Sequence, residues 1–315
     1  MNRINDDLKK QNSAKNTIWN STKKTFQDSI FYNVLISMRP LQWTKNVFVF
    51  AGLIFSRSFF DIEAILKTIY AFFLFSAVSG AMYIINDVID KERDAIHPLK
   101  CKRPVASGKL KPSCALLSAA LILIAALYLS YTADRSFFWV IIMYFILILL
   151  YSFVLKKYVI IDVIIIAAGF VLRTLGGTAI INVTVSPWLI MCTTFLALFL
   201  ALNKRKSELA LLLENAANHR GNLEEYTPEL INQMLPVTQA ATIMSYSLYT
   251  FSSGKSYYMM ATIPFVFYGV FRYQYLVSNK GKGGSPETVI LKDIPLSANI
   301  ILWAVLCLII VTLFY

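Results

Sequence analysis

Long apolar stretches recur along this chain, and they leave little room for any fold other than a bundle of membrane helices. A transmembrane helix needs roughly 20 apolar residues. The composition agrees, because 57% of the 315 residues are hydrophobic and only 15% are charged, against roughly a quarter charged in soluble proteins. We predict an all-α integral membrane protein with nine transmembrane helices. They lie at approximately 37–56, 63–86, 113–132, 136–155, 159–180, 187–203, 231–252, 257–277 and 296–314.

The distribution of basic residues predicts how the chain is oriented in the cell membrane. We expect a polar cytoplasmic tail over 1–36 and a single transmembrane domain over 37–315. Lys and Arg are concentrated in the tail and the even-numbered loops, whereas the odd-numbered loops contain only Arg57, Arg135 and Lys255. Cytoplasmic loops carry the excess of basic residues. The N-terminus is therefore predicted in the cytoplasm and the C-terminus outside.

The positions of the basic residues and of the four cysteines bear on nucleic acid binding, disulfides and zinc, given the net charge of +12. The basic residues lie in short loops between apolar stretches, so we expect no nucleic acid partner. The cysteines show no paired spacing, and two of them lie within apolar stretches. We therefore expect neither a disulfide nor a zinc site.

One charged segment, from Asn86 to Lys111, interrupts the apolar sequence. Asp87, Asp90 and Asp94 follow an i, i+3, i+7 spacing, which would place all three carboxylates on one face of a helix. Mg²⁺ is usually held by one or two carboxylates plus substrate phosphates, and nearby cations would also attract phosphate. The segment therefore predicts a Mg²⁺-bound diphosphate, with a solvated loop as the alternative. Its basic residues are Lys91, Arg93, Lys100, Lys102, Arg103, Lys109 and Lys111.

Polar side chains within the predicted spans form the next group of candidates, because each is costly in hydrocarbon unless it faces a cavity or a partner. Arg173 falls near the middle of the fifth span, where it indicates either a functional site or an ion pair with a neighbouring helix. Lys204 and Arg205 begin a charged helix that could act as a lid. The candidates at the ends of spans are Lys45, Asn46, Tyr151, Lys156, Asp162 and Arg272.

Several motifs together resemble a known family. NDVIDKERD at 86–94 resembles the NDxxDxxxD signature of the UbiA-type intramembrane prenyltransferase superfamily. Further segments resemble its decaprenyl-phosphate phosphoribosyltransferase branch. They are RPLQWTKN at 39–46, HPLKCKRPVASGKL at 97–110, YSFVLKKYVIIDV at 151–163, GFVLRTLGG at 169–177, KRKSEL at 204–209, RYQYLV at 272–277 and SPE at 285–287.

The resemblance implies nine transmembrane helices around a cytoplasm-facing active-site cavity. It also implies transfer of 5-phosphoribose from phosphoribosyl pyrophosphate to a polyprenyl phosphate, decaprenyl or undecaprenyl, for cell-envelope glycan precursors. Asp87, Asp90 and Asp94 would be catalytic residues that bind Mg²⁺-pyrophosphate, and Lys156 would be a catalytic cation. The substrate-binding residues that it implies are Lys45, Asn46, Asn86, Arg103, Lys109, Tyr151, Asp162, Arg173, Lys204, Arg205 and Arg272.

One departure from the superfamily pattern bears on the substrates. Aromatic prenyltransferases of the superfamily carry a second acidic cluster where this chain has Lys156, Lys157 and a single acid, Asp162. Extra cations suit two phosphorylated substrates that must lie close together. Two alternatives stay open, a prenyltransferase with a prenyl diphosphate donor and an aromatic acceptor, and a non-catalytic transporter of phosphorylated solutes. A homo-oligomeric state is also left open.

Overall fold

The computed structural model describes residues 29–56, 58–98, 100–214, 225–252, 256–280 and 286–314. Within these ranges the regular structure is entirely helical. Predicted features at 1–28, Arg57, 215–224, Lys255 and 281–285 lie outside the described residues.

The α-helices are separated by several short 3₁₀ helices. The α-helices are α1 (Ile30–Ser37), α2 (Ala51–Phe55), α3 (Ile62–Ile89), α4 (Lys91–Ile96), α5 (Pro112–Ala133), α6 (Arg135–Phe153), α7 (Ile161–Ile180), α8 (Pro187–Glu214), α9 (Pro228–Ser252), α10 (Ile263–Lys280), α11 (Pro286–Lys292) and α12 (Ile294–Phe314). The 3₁₀ helices are Pro40–Phe50, Ser58–Phe60, Lys100–Lys102, Leu155–Lys157 and Tyr257–Thr262.

Six helices of the described chain are long and apolar enough to cross a membrane, namely α3, α5, α6, α7, α8 and α12. The protein is therefore an all-helical, multi-pass membrane protein, as predicted. The count of nine spans is not confirmed. The first, seventh and eighth predicted spans are helical, but they are not among the six.

The first predicted span is not an α-helix over its length. Arg39 has φ 53° and precedes Pro40, a position at which α-helical backbone is disfavoured. The chain then forms a 3₁₀ helix over Pro40–Phe50 before α2 begins. With three residues per turn, side chains at i and i+3 eclipse. Gln42 and Lys45 therefore share a face that Asn46 does not.

The described chain divides into two compact units. The first contains α1, the part of α3 from Ser79 onward, α4, and α5 as far as Leu123. Its helices approach closely at Gly80, where an added Cβ would lie 2.8 Å from the side chain of Met38. Its apolar core consists of Ala81, Ile84, Val105, Leu110, Ala115 and Ala119.

The second unit contains the described residues of 41–78 and those from 124 onward. The 3₁₀ helix Pro40–Phe50 packs directly on α7, because a Cβ at Gly177 would lie 1.8 Å from the carbonyl oxygen of Val49. A Cβ at Gly176 would lie 2.5 Å from the ring of Phe75. The glycines of the fifth predicted span therefore serve close packing, as small residues do between membrane helices.

Candidate functional site

Two buried aspartates of the charged segment meet at arginine side chains in the first unit. Asp87 in α3 is 2% exposed, and Asp94 in α4 is 3% exposed. Nη1 of Arg103 donates to Oδ1 of Asp87 at 3.1 Å and also to Oδ2 of Asp94. Nη2 of Arg39 donates to the same oxygen of Asp87, and its guanidinium lies 4.9 Å from the centre of the Tyr83 ring. The cluster thus holds two carboxylates and two guanidinium groups.

The aspartates do not lie on one continuous helix, which corrects the face predicted from their spacing. α3 ends at Ile89 and α4 begins at Lys91, with Asp90 between them at φ −88° and ψ 7°. Asp94 is joined to Asp87 through a shared guanidinium, whereas Asp90 is half-buried between the helices. In the part of the chain that the structure describes, no three acidic, His or Cys side chains form a group that could hold a metal.

The donor chemistry of the buried pair nevertheless suits Mg²⁺. This ion prefers oxygen ligands and is usually held by one or two carboxylates plus substrate phosphates. Asp87 and Asp94 supply two such carboxylates in one place, so a third protein ligand is not required. Arg39 and Arg103 neutralise them, and both cations would also attract phosphate oxygens. The cluster therefore fits a metal-bound diphosphate.

A second buried ion pair joins α7 to α8 in the second unit. Nε of Arg205 donates to Oδ2 of Asp162 at 2.8 Å, and both side chains are almost completely buried. Nη1 of Arg205 donates to Glu208, and Nη2 donates to the hydroxyl of Tyr151 at 3.4 Å. Nζ of Lys204 lies 3.8 Å from Oε1 of Glu208. The network therefore brings four of the predicted substrate-binding residues together and adds Glu208.

Tyr226 completes this network and was not singled out from the sequence. Its hydroxyl donates to Oδ1 of Asp162 at 2.7 Å and accepts from the backbone N–H of Ile160 at 2.9 Å. Ile160 has φ 68°, which is rare for a β-branched residue, so this hydrogen bond supports the turn before α7. Burial, followed by the hydrogen bond to Asp162, raises the pKa of the Tyr226 phenol. The phenol therefore remains a neutral donor. Its only sequence signal is an aromatic residue in a polar connection.

The 3₁₀ helix Leu155–Lys157 carries the two lysines that precede α7. Lys156 is half-buried and Lys157 is exposed. At three residues per turn, adjacent side chains point about 120° apart, so both cannot face one ligand. Lys156 is the less exposed of the two lysines, as we would expect of the one that contacts a substrate. Its role stays a prediction.

Arg173 is 6% exposed in the middle of α7 and is held by neutral groups. Its Nε donates to Oδ1 of Asn46 at 2.6 Å, Nη1 to the carbonyl of Gly169 at 2.8 Å, and Nη2 to the hydroxyl of Tyr144 at 2.6 Å. Asn46 in turn donates to Oγ of Ser76 at 2.9 Å. No carboxylate of the described residues pairs with this guanidinium, so the ion pair considered for Arg173 is not formed there.

Arg173→Met is expected to lower the free energy of unfolding by about 1–3 kcal/mol, because the buried acceptors on Asn46 and Tyr144 lose their donor. Thermal unfolding of the purified variant measures this change. Unchanged unfolding together with lost activity would contradict the packing role and assign Arg173 to substrate binding.

The other predicted site residues are more scattered. Arg272 forms a two-pronged ion pair with Asp293, at 3.1 Å from Nε to Oδ1 and 3.0 Å from Nη2 to Oδ2. Lys45 and Asn86 are half-buried, and Lys109 is exposed. Arg272 is therefore satisfied by a protein carboxylate in this structure.

The sequence profile of the UbiA prenyltransferase family matches residues 46–289, and the chain belongs to that family. A protein of Mycolicibacterium smegmatis named decaprenyl-phosphate phosphoribosyltransferase is 30% identical over 285 residues, covering 85% of this chain and 88% of its own length. A protein of Corynebacterium glutamicum with the same name is 31% identical over 283 residues, covering 87% and 84%. The resemblance read from the motifs is thus confirmed.

Solved structures confirm the fold. A UbiA homologue from Archaeoglobus fulgidus, bound to GPP and Mg²⁺, has a TM-score of 0.68 and covers 89% of this chain and 100% of its own. A Cd²⁺-bound structure of a UbiA homologue from the same organism has a TM-score of 0.66. Both are 17% identical to this chain, so they define the fold alone.

Proposed function

We propose that this protein transfers 5-phosphoribose from phosphoribosyl pyrophosphate to a polyprenyl phosphate and releases pyrophosphate. The observation that supports this most strongly is the extent of similarity to proteins named decaprenyl-phosphate phosphoribosyltransferase, about 30% identity over most of both chains. Decaprenyl and undecaprenyl phosphate are both candidate acceptors, and the product would serve cell-envelope glycan synthesis.

In this proposal the aspartate cluster binds the leaving group. The bond from C1 of ribose to pyrophosphate breaks, and an oxygen of the acceptor phosphate forms the new bond to C1. Asp87 and Asp94 would hold Mg²⁺, which when bound neutralises charge on the departing pyrophosphate. Arg103 keeps the two carboxylates together and Arg39 pairs with Asp87, and both guanidinium groups can turn to phosphate oxygens. Asp90 adds negative charge to the same segment.

The acceptor phosphate is already ionised at neutral pH, so it needs positioning rather than a general base. Lys156 would supply a cation for one substrate phosphate, since ion-assisted hydrogen bonds to phosphate are strong and directional. The buried network of Asp162 and Arg205 would fix the turn that carries Lys156. A cation near the reacting centre also stabilises the negative charge that grows on the leaving group.

The purified protein should transfer label from phosphoribosyl pyrophosphate to polyprenyl phosphate when Mg²⁺ is present, and a chelator should stop the reaction. Lipid label that forms equally well after the metal is removed would contradict the role given to the aspartate cluster.

Lys156→Met is expected to weaken apparent substrate affinity or rate by about 5- to 150-fold, the equivalent of roughly 1–3 kcal/mol, without changing the Mg²⁺ requirement. Lys157→Met is the matched control, because Lys157 is exposed, and it should keep wild-type constants. Steady-state kinetics on both variants would settle the choice, and a crippled Lys157 variant beside a normal Lys156 variant would reverse it.

We further propose that the site opens to the cytoplasm through a cavity between the membrane helices. Ser107 is exposed in a predicted cytoplasmic loop, and Thr132 is exposed in the last turn of α5, next to the loop predicted to lie outside. In a cysteine-free background, Ser107→Cys should react only with membrane-permeant reagents, and Thr132→Cys should also react from outside. Labelling of Ser107→Cys by an impermeant reagent in intact cells would overturn this orientation.

A further inference from the structure

Glu287 in α11 is a buried acid with one unused oxygen. The side chain is 9% exposed, and its Oε1 accepts a hydrogen bond from Nε2 of Gln42. Its Oε2 has no hydrogen-bond partner within the described residues. Buried polar atoms are nearly always paired, and a desolvated charged group without a partner is especially costly. The unpaired oxygen therefore indicates a place for a hydrogen-bond donor that the described residues do not supply.

Tyr273 in α10 has a second polar group without a partner among the described residues, and it packs against the helix that carries Glu287. Its phenol is 3% exposed, and the hydroxyl has no partner among the described residues. Tyr273 belongs to the same buried apolar cluster as Val289, which lies two residues after Glu287 in α11. A carboxylate oxygen accepts only, whereas a phenol both donates and accepts. The carboxylate oxygen can accept from one hydroxyl group of a ligand, and the phenol can donate to or accept from another.

The partner of Glu287 connects this place to the RPLQWTKN segment at 39–46. Gln42 lies in the 3₁₀ helix Pro40–Phe50, three residues before Lys45. Side chains at i and i+3 of a 3₁₀ helix share a face. A neutral hydroxyl bound by Glu287 would therefore lie on the same face of this helix as a cation. That combination suits a phosphorylated sugar, in which hydroxyl and phosphate groups are neighbours.

Building on the proposed function, we propose that Glu287, oriented by Gln42, accepts a hydrogen bond from a ribose hydroxyl of the donor, with Tyr273 bonding to the adjacent hydroxyl. The subsite would select a pentose phosphate that carries free hydroxyl groups. A phosphate in the same place would be repelled by the carboxylate, which leaves a hydroxyl as the group of the donor that fits.

The test compares phosphoribosyl pyrophosphate with its 2-deoxy and 3-deoxy analogues. Each donor is compared with itself across protein variants, so differences in intrinsic reactivity cancel. Glu287→Met should lower kcat/KM for the natural donor by roughly 10- to 100-fold, the range expected for a hydrogen bond to a charged group. For the analogue that lacks the hydroxyl bound by Glu287, Glu287→Met should lower kcat/KM by no more than about 3-fold, because this analogue does not form that hydrogen bond with the wild-type protein.

Two further variants keep the result interpretable. Glu63→Met is the matched control, because Glu63 is exposed and pairs with Lys67 on the surface of α3, and it should leave all three donors unaffected. Gln42→Met retains the carboxylate but not its orienting amide. It should give the same selective loss to a smaller extent, and it replaces Glu287→Met if that variant does not fold.

Equal losses for all three donors would overturn the subsite and assign Glu287 to packing or to a buried water. If the wild-type protein makes no product from the natural donor, the proposed function fails and the subsite falls with it. Normal transfer from the natural donor without selective loss in the variants removes the subsite alone.

Discussion

Asp94→Asn is expected to reduce phosphoribosyl transfer on the order of 100-fold or more, the largest effect of any single change considered. The substitution keeps the shape and an acceptor for Arg103, but it removes one of two buried charges that would hold the metal-bound leaving group. Loss of electrostatic stabilisation at a developing charge typically costs about 100- to 1000-fold in rate. Initial rates measured across a Mg²⁺ titration would show lost activity or a much higher Mg²⁺ requirement.

Glu92→Gln provides the matched control for this change. Glu92 lies on the same helix as Asp94 but is exposed, so its substitution should leave the Mg²⁺ dependence unchanged. Asp90→Asn is expected to act in the same direction as Asp94→Asn, since it removes charge from the same segment. Wild-type rates and Mg²⁺ dependence in the Asp94 variant would contradict the placement of the leaving group at this cluster.

Arg205→Met is expected to destabilise the fold by about 3–5 kcal/mol, because it leaves the buried carboxylate of Asp162 without its ion partner. The two side chains are 2% and 0% exposed and are joined at 2.8 Å, so solvent cannot compensate for the loss. Removing both partners should cost less than removing one. The double variant Asp162→Asn/Arg205→Met is therefore expected to unfold at a higher temperature than Arg205→Met.

An exposed ion pair gives the comparison for this effect. Lys67→Met breaks the pair with Glu63, in which both side chains are largely exposed, and surface pairs contribute only about 0–1 kcal/mol. Thermal unfolding of the purified variants would rank them. A melting temperature for Arg205→Met as close to wild type as that of Lys67→Met would show that Arg205 is not a structural ion partner.

The membrane class and the main acidic cluster could be predicted from the sequence because both depend on local patterns. Apolar stretches near 20 residues identify spans by length alone, and Asp87 and Asp94 are separated by only seven residues. Spacing did not reveal the break at Asp90, because an i, i+3, i+7 pattern presupposes an unbroken helix. The same limit applies to the segment after Arg39, where a positive φ and a proline start a 3₁₀ helix.

Long-range pairing could not be predicted in the same way. Asp162 and Arg205 were both named as candidates, but they are 43 residues apart, and no local pattern shows that they neutralise each other. Arg173 is stabilised by the amide of Asn46, 127 residues away, rather than by the carboxylate that an intramembrane arginine would lead one to expect. Such partners are set by how the helices pack, which depends on contacts along the entire chain.

The most direct test of the proposed function offers one protein preparation two pairs of substrates. One reaction contains Mg²⁺, labelled phosphoribosyl pyrophosphate and polyprenyl phosphate, and the other contains Mg²⁺, a prenyl diphosphate and 4-hydroxybenzoate. We predict labelled lipid in the first reaction and no prenylated ring in the second. Product in the second reaction alone would contradict the account and assign the chain to aromatic prenyl transfer.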